Sequence, residues 1–236
     1  MIMFKLQPPD WILWNVFLAL LPVGMALLLA WWTENGPNWR KRLSTPVWAL
    51  IWLPLAVAWF AFLPNTCYLL TEWRHFLFDP RLSPLTEPGD YSPRAQLAVA
   101  RLGLFYLLYS GVGVICYTLS IRPIERLLRR TQLNLLFFGV PFFLLTSLAV
   151  YMGLIVRLNS WQVVTRPAIV WATTVHAVTD PPLLKVIVIF AFLLWLLYET
   201  VDVWVDGMVL RLRRNKGSAP TSTSGGKRRA KAASKG

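Results

Sequence analysis

The sequence predicts an all-α, multi-pass transmembrane helical bundle. Three observations lead there. The chain of 236 residues is 56% hydrophobic and only 15% charged, against about 25% charged in a typical soluble domain. Its apolar residues fall in long runs rather than in an alternating pattern. Many of its 13 Trp lie at the ends of those runs, where an indole ring favours the lipid headgroup layer.

The first run is 11–32, long enough at about 1.5 Å per residue to cross a hydrocarbon core of about 30 Å. Trp11 and Trp14 mark one end and Trp31 and Trp32 the other, with Pro22 inside. The run is too long for a signal-peptide core, so it is expected to remain as an uncleaved span. The second is 46–62. Ser44 and Thr45 offer N-caps, and Pro46 suits a first helical turn. The third is 95–119, with Gly103, Ser110, Gly111 and Gly113 as places where a neighbouring helix can approach. A short basic connection, 121–132, leads to the fourth, 133–156. The fifth is 183–205. The segment 168–178 is too short to span and is expected to be re-entrant or interfacial. Residues 1–210 thus form an integral membrane domain, and 211–236 a basic, disordered tail.

The formal net charge of +13 does not indicate nucleic-acid binding, because nine of the 24 Lys and Arg lie between Arg211 and Lys235. Sixteen of the 24 fall in the tail and in loops 33–45 and 120–132. The positive-inside rule puts that side in the cytoplasm and the N-terminus outside. The expected partners are the bilayer, anionic headgroups at the tail, and a membrane protein or second copy of the chain. The expected location is a plasma (inner) membrane, with several crossings.

No phosphate loop, G-x-S-x-G or H-E-x-x-H pattern is present, and no cofactor is expected. Cys67 and Cys116 are expected to lie near opposite membrane faces and to be free.

Two polar segments then stand out. Pro64 to His75 carries Asn65, Thr71, Glu72, Arg74 and His75 directly after an apolar run. With five spans it emerges on the same outer face as Arg157-Leu158-Asn159-Ser160-Trp161. Asn65, Tyr68 and Glu72 share one helical face by spacing. The candidate patch is Asn65, Tyr68, Thr71, Glu72, Arg157, Asn159, Ser160 and Trp161, with Arg157 as the expected partner of Glu72. A metal reading draws on Glu72, His75, His176 and Asp180, since Glu-x-x-His and i, i+4 spacings each put two ligands on one face. Against it, carboxylate sites in helical bundles use two Glu-x-x-His motifs and this chain has one, so no metal is expected.

The same two segments carry a resemblance. Phe62, Pro64, Asn65, Tyr68, Thr71 and Glu72 fit F-x-P-N-x-x-Y-x-x-T-[DE]. Tyr151, Gly153, Arg157, Asn159, Ser160 and Trp161 fit Y-x-G-x-x-x-R-x-N-S-W. Together they resemble the domain-of-unknown-function 1361 family of bacterial integral membrane proteins, over roughly Trp11 to Val205. The family's acid is usually Asp where this chain has Glu72. Its further Arg is replaced here by Leu154 and Ile155, which weakens an anion-binding reading. The resemblance implies membrane location more than an activity.

Three functions are compatible with these residues. The favoured one is a non-catalytic envelope scaffold or accessory protein, with the patch as a clamp between helices. The second is a small-solute permease acting as an oligomer through Arg101 and the stripe Glu199, Asp202 and Asp206. In the bland reading Arg101 snorkels to headgroups, and the acidic stripe pairs with Arg40, Lys41, Arg42, Arg129 or Arg130. The third is a membrane enzyme acting on a lipid or lipid-linked substrate, with Glu72 or His75 as general base.

Overall fold

Backbone polar groups in hydrocarbon have no water to bond, so each apolar run must satisfy its own N–H and C=O groups as a helix. The computed structural model describes residues 9–35, 45–77, 93–130, 135–158 and 162–217. Its helices are α1 (Pro9–Asn35), α2 (Thr45–Phe62), α3 (Pro64–Thr71), α4 (Trp73–Leu77), α5 (Pro93–Arg129), α6 (Leu135–Leu154), α7 (Gln162–Thr165), α8 (Pro167–Thr179) and α9 (Pro181–Gly217). No strand occurs among the described residues.

Four stretches are long and apolar enough to cross a membrane: Ile12–Glu34, Leu50–Thr71, Gln96–Arg129 and Pro181–Asn215. A fifth, Phe138–Leu154, is shorter. Its parent helix α6 has 20 residues, about 30 Å of rise, which matches the hydrocarbon thickness. The fold is therefore an all-α helical bundle, as the composition predicts.

The boundaries differ from the sequence reading in three places. The second span does not end at Phe62: α3 carries it on to Thr71. The basic stretch after Leu119 is helical up to Arg129 rather than a connection. Cations at a helix C-terminus complement its dipole, and Arg126 and Arg129 lie in that last turn. Finally, α9 runs on to Gly217, so the first residues past Arg211 are helical; residues 218–236 lie outside those described.

Two units divide the chain after Val201. In the first, α1 packs on α2, α3 and α5, and α3 also touches α2, α5 and α6. The stripe Ala19, Val23 and Ala26 gives α1 a small-residue face, with Leu69, Tyr109 and Cys116 against one part of it and Trp59 against another. Helix α9 joins through Ala191, Leu194 and Tyr198, which pack with Leu63, Cys67, Tyr117, Phe143 and Val150. Ser147 of α6 donates to the Ile187 carbonyl of α9 at 2.8 Å. Trp59 stacks on Phe142 at 6.0 Å between ring centroids and donates to the Ser120 carbonyl at 3.0 Å, tying α2 to α5 and α6. The second unit's described part, 202–217, continues α9 and exposes Val203, Trp204, Leu210 and Leu212.

At the far end of α5, Glu125 accepts from Arg129 at 2.6 Å and from Tyr198 of α9, while Arg130 pairs with Glu34 of α1 at 2.8 Å. Arg129 thus bonds Glu125 while lying within electrostatic reach of Glu199, and Arg130 bonds Glu34. Arg40, Lys41 and Arg42 lie outside the described residues.

Of the glycines on α5, Gly113 is the one with a packing reason. A Cβ there would stand 2.8 Å from the Leu69 Cβ and 2.9 Å from the Thr66 carbonyl oxygen, whereas a Cβ on Gly111 meets nothing within 4 Å. Gly113→Val is expected to lower stability by about 1–3 kcal/mol, the usual penalty of overpacking. Gly111→Ala is expected to be neutral or stabilising. Thermal unfolding of both variants in detergent micelles checks the pair.

Candidate site: a broken helix clamped between two glycines

Pro64 has no N–H, so the Phe60 carbonyl loses its ordinary partner and the helix is interrupted at Leu63. The local sequence rearranges the bonds of the carbonyls next to the break. Thr66 N–H bonds the Leu63 carbonyl at 3.1 Å, one residue nearer than in a regular α-turn. That leaves the Phe62 carbonyl, which accepts from the Asn65 side-chain amide at 3.1 Å. The Thr66 hydroxyl also donates to Leu63 at 2.7 Å, and the Thr71 hydroxyl to the Tyr68 carbonyl at 3.0 Å. Three of the polar side chains that make this run conspicuous therefore bond its own backbone.

The segment is also deeper than a surface loop. Pro64, Thr66, Cys67, Leu69 and Glu72 are buried, because α3 is enclosed by α1, α2, α5 and α6. On the α5 side, Gly113 lets the backbones close together, and the Ser110 hydroxyl reaches the Leu69 carbonyl at 3.4 Å. On the α6 side, Tyr68 lies across Gly153. A Cβ built at Gly153 would overlap the Tyr68 hydroxyl and come within 2.6 Å of its Cζ. Tyr68 and Gly153 belong to the two separate motifs, and here they touch.

Glu72 follows α3 as its C-cap residue and is 7% exposed. Tyr109 of α5 lies within electrostatic reach of Glu72 and Tyr106 and beside Asn15 of α1. Sequence reasoning alone did not single out these neighbours. Their signal was there: Tyr106, Tyr109, Ser110 and Gly113 follow i, i+3, i+4, i+7, which is one face of α5.

Arg157 does not join Glu72. It is exposed, at the end of α6, with φ of 59°. A non-glycine residue in the left-handed region is uncommon. Across it the Leu158 N–H turns back to the Met152 carbonyl at 3.0 Å, so the backbone of Arg157 closes α6. Asn159, Ser160 and Trp161 lie outside the described residues.

The metal candidates do not come together. Among the described residues no group of three or more His, Cys, Asp or Glu side chains is placed to hold a metal ion, and the His75 side chain is outside them. Asp180 caps a helix instead. Its carboxylate accepts from the Leu183 N–H at 3.5 Å, at the start of α9 ahead of Pro181 and Pro182. His176 is exposed. Arg101 is exposed beside Leu97 and Leu104, on an exposed apolar side of α5. Cys67 and Cys116 are both buried and free.

Two measurements probe the clamp. Gly153→Ala is expected to destabilise by about 1–3 kcal/mol, and much of that loss is expected to return in the double variant with Tyr68→Ala. A double-mutant cycle on unfolding midpoints reads the coupling, expected at about 0.5–3 kcal/mol for residues in contact. Arg157→Gly is expected to raise stability by about 1–2 kcal/mol by removing left-handed strain, and Arg157→Ala is not. The same unfolding assay separates the backbone from the side chain.

Residues 14–197 match the family described as protein of unknown function (DUF1361). No curated protein and no solved structure matches the chain. The match covers most of the chain's 236 residues and includes both motifs and the helices that bring Tyr68 onto Gly153; the chain belongs to the DUF1361 family, as a membrane protein of all-α fold.

Proposed function

We propose that this protein is a non-catalytic scaffold or accessory protein of a bacterial plasma membrane, and that the polar run 64–72 is the clamp that fixes its helices. One observation carries the reading: Asn65, Thr66 and Thr71 are engaged by backbone carbonyls of their own segment, and Tyr68 by Gly153. Each of these groups is committed in part to the fold itself, which favours a structural role over ligand binding. The distribution of Lys and Arg supports an outside N-terminus and a cytoplasmic C-terminus. It also supports contact between the basic tail and anionic headgroups. A homo-oligomer or a membrane-protein partner completes the scaffold reading.

The alternatives stand unequally. The permease reading uses Arg101 as an anion contact, and Arg101 is exposed on the single chain rather than enclosed within its bundle. The enzyme reading keeps one specific observation in its favour, the burial of Glu72 beside the hydroxyl-bearing face of α5. An ionisable group inside a membrane domain is a functional candidate by default.

A deletion strain complemented with Asn65→Ala, Gly153→Ala or Glu72→Gln distinguishes them. The scaffold reading expects folded-protein level and rescue of the deletion phenotype to fall together, Asn65→Ala losing about 1 kcal/mol of stability with its hydrogen bond. Loss of rescue by Glu72→Gln at a normal level of folded protein, with a changed lipid profile, transfers the case to the enzyme.

A further inference from the structure

Helix α8 is the one sizeable element whose role neither the fold nor the clamp explains. It has 13 residues, about 20 Å of rise, well short of a hydrocarbon core of about 30 Å. Its two sides differ. Ala177 is fully buried, and Val170, Thr173 and Thr174 are half-buried on the same side, where α8 meets α6 and α7. A second side, about 120° round the helix, shows Trp171 at 71%, Val178 at 52% and Val175 at 41% exposure. These three sit within about 60° of one another around the helix at 100° per residue.

We propose that α8 lies along the membrane surface at the end of α6, with the Trp171, Val175 and Val178 stripe embedded in the lipid headgroup–acyl boundary. The occupant of this face is bilayer lipid. The two ends of α8 disfavour an upright, re-entrant orientation. Its C-terminal end is joined to α9 by Asp180 alone, in an extended conformation at φ −88° and ψ 109°, so the chain turns there and does not run on straight. Asp180 Oδ1 caps α9, and its N–H bonds the His176 carbonyl at 3.0 Å, which fixes the elbow from both sides. Its N-terminal end is Arg166, exposed and ahead of Pro167. An upright helix anchored at Asp180 would carry the Arg166 guanidinium about 20 Å into hydrocarbon, where a charge is costly. Lying flat, α8 keeps Arg166 and Asp180 both at headgroup level.

The choice of lipid over a protein partner rests on continuity. Beyond the elbow, α9 presents Val186, Ile189 and Phe192 outward, the apolar surface of a membrane span. Only Asp180 separates α8 from that span. Tryptophan is the side chain best suited to the boundary, with an apolar body and one N–H donor.

Spin labels on the full chain, reconstituted in vesicles of phosphatidylethanolamine and phosphatidylglycerol, test this. Trp171→Cys, Val175→Cys and Val178→Cys are labelled singly, with Thr174→Cys as the packed reference. Wild type serves as the blank, since Cys67 and Cys116 are buried. Collision rates with oxygen and with a water-soluble nickel chelate give the depth. The expected result is one shared shallow depth for the three outer positions, all oxygen-accessible, with position 174 shielded from both reagents. A depth that increases steadily along the helix overturns the proposal in favour of a re-entrant segment. Free access of the chelate to all three places α8 in water, and shielding of all three from both reagents places a protein on it; either result also overturns it. Three separate surface positions keep the test intact if one variant folds poorly.

Discussion

Everything near the centre of this bundle follows from one constraint: Pro64 interrupts a helix where water is not available to repair it. In solution a carbonyl left by proline is hydrated. In a membrane domain it must be met by another group of the protein. The neighbouring carbonyls of Phe62 and Leu63, displaced from the regular ladder, are met by Asn65 and Thr66 from within two residues of the break. The Pro-Asn-Thr order is thus a local solution to a local problem, and it needs a short amide and a short hydroxyl because longer side chains would overshoot the carbonyls.

The break has a packing consequence. A short helix such as α3 has little stability alone, so its neighbours must hold it. They do so by close approach: Gly113 admits the α3 backbone on one side, and Gly153 admits the Tyr68 ring on the other. Between helices in a membrane there is little hydrophobic drive, and small residues that permit tight van der Waals contact take its place. This explains why a glycine near the end of one span and a tyrosine after another occur in motifs more than eighty residues apart in sequence.

How much was legible follows the same physics. The fold class and the span cores could be read because hydropathy and length fix them directly. The family could be read because the two motifs are linear. The span ends are not legible in this way, since a polar residue in sequence reads as exposed whether it faces solvent or serves the backbone. Asn65 and Thr71 are polar yet serve the backbone. Arg126 and Arg129 are charged yet suit a helix C-terminus, with Glu125 one turn before Arg129. The expected pair of Glu72 and Arg157 failed for a related reason. Charge complementarity suggested a side-chain contact, but Arg157 acts through its backbone conformation. A left-handed residue leaves no mark in composition unless it is a glycine.

The two ends of α5 show that different physics holds each. At one end, Glu125, Arg129, Tyr198, Arg130 and Glu34 join three helices through ion pairs and a hydroxyl. Arg129 and Arg130 have side chains 57% and 65% exposed, so each pair adds at most about 1 kcal/mol. Their value lies in selecting which helices meet. Towards the other end, α3 is fixed by neutral hydrogen bonds of Asn65, Thr66, Thr71 and Ser110 to backbone carbonyls. Glu72 is the exception within that neutral region. An acid at the C-terminal end of a helix faces the negative end of the dipole, so capping does not account for it, and Pro64 does not require it. The hydrogen bonds that Asn65 and Thr66 make at the break use no carboxylate. Glu72 is therefore the position at which a structural clamp and a chemical role make different demands of the same fold.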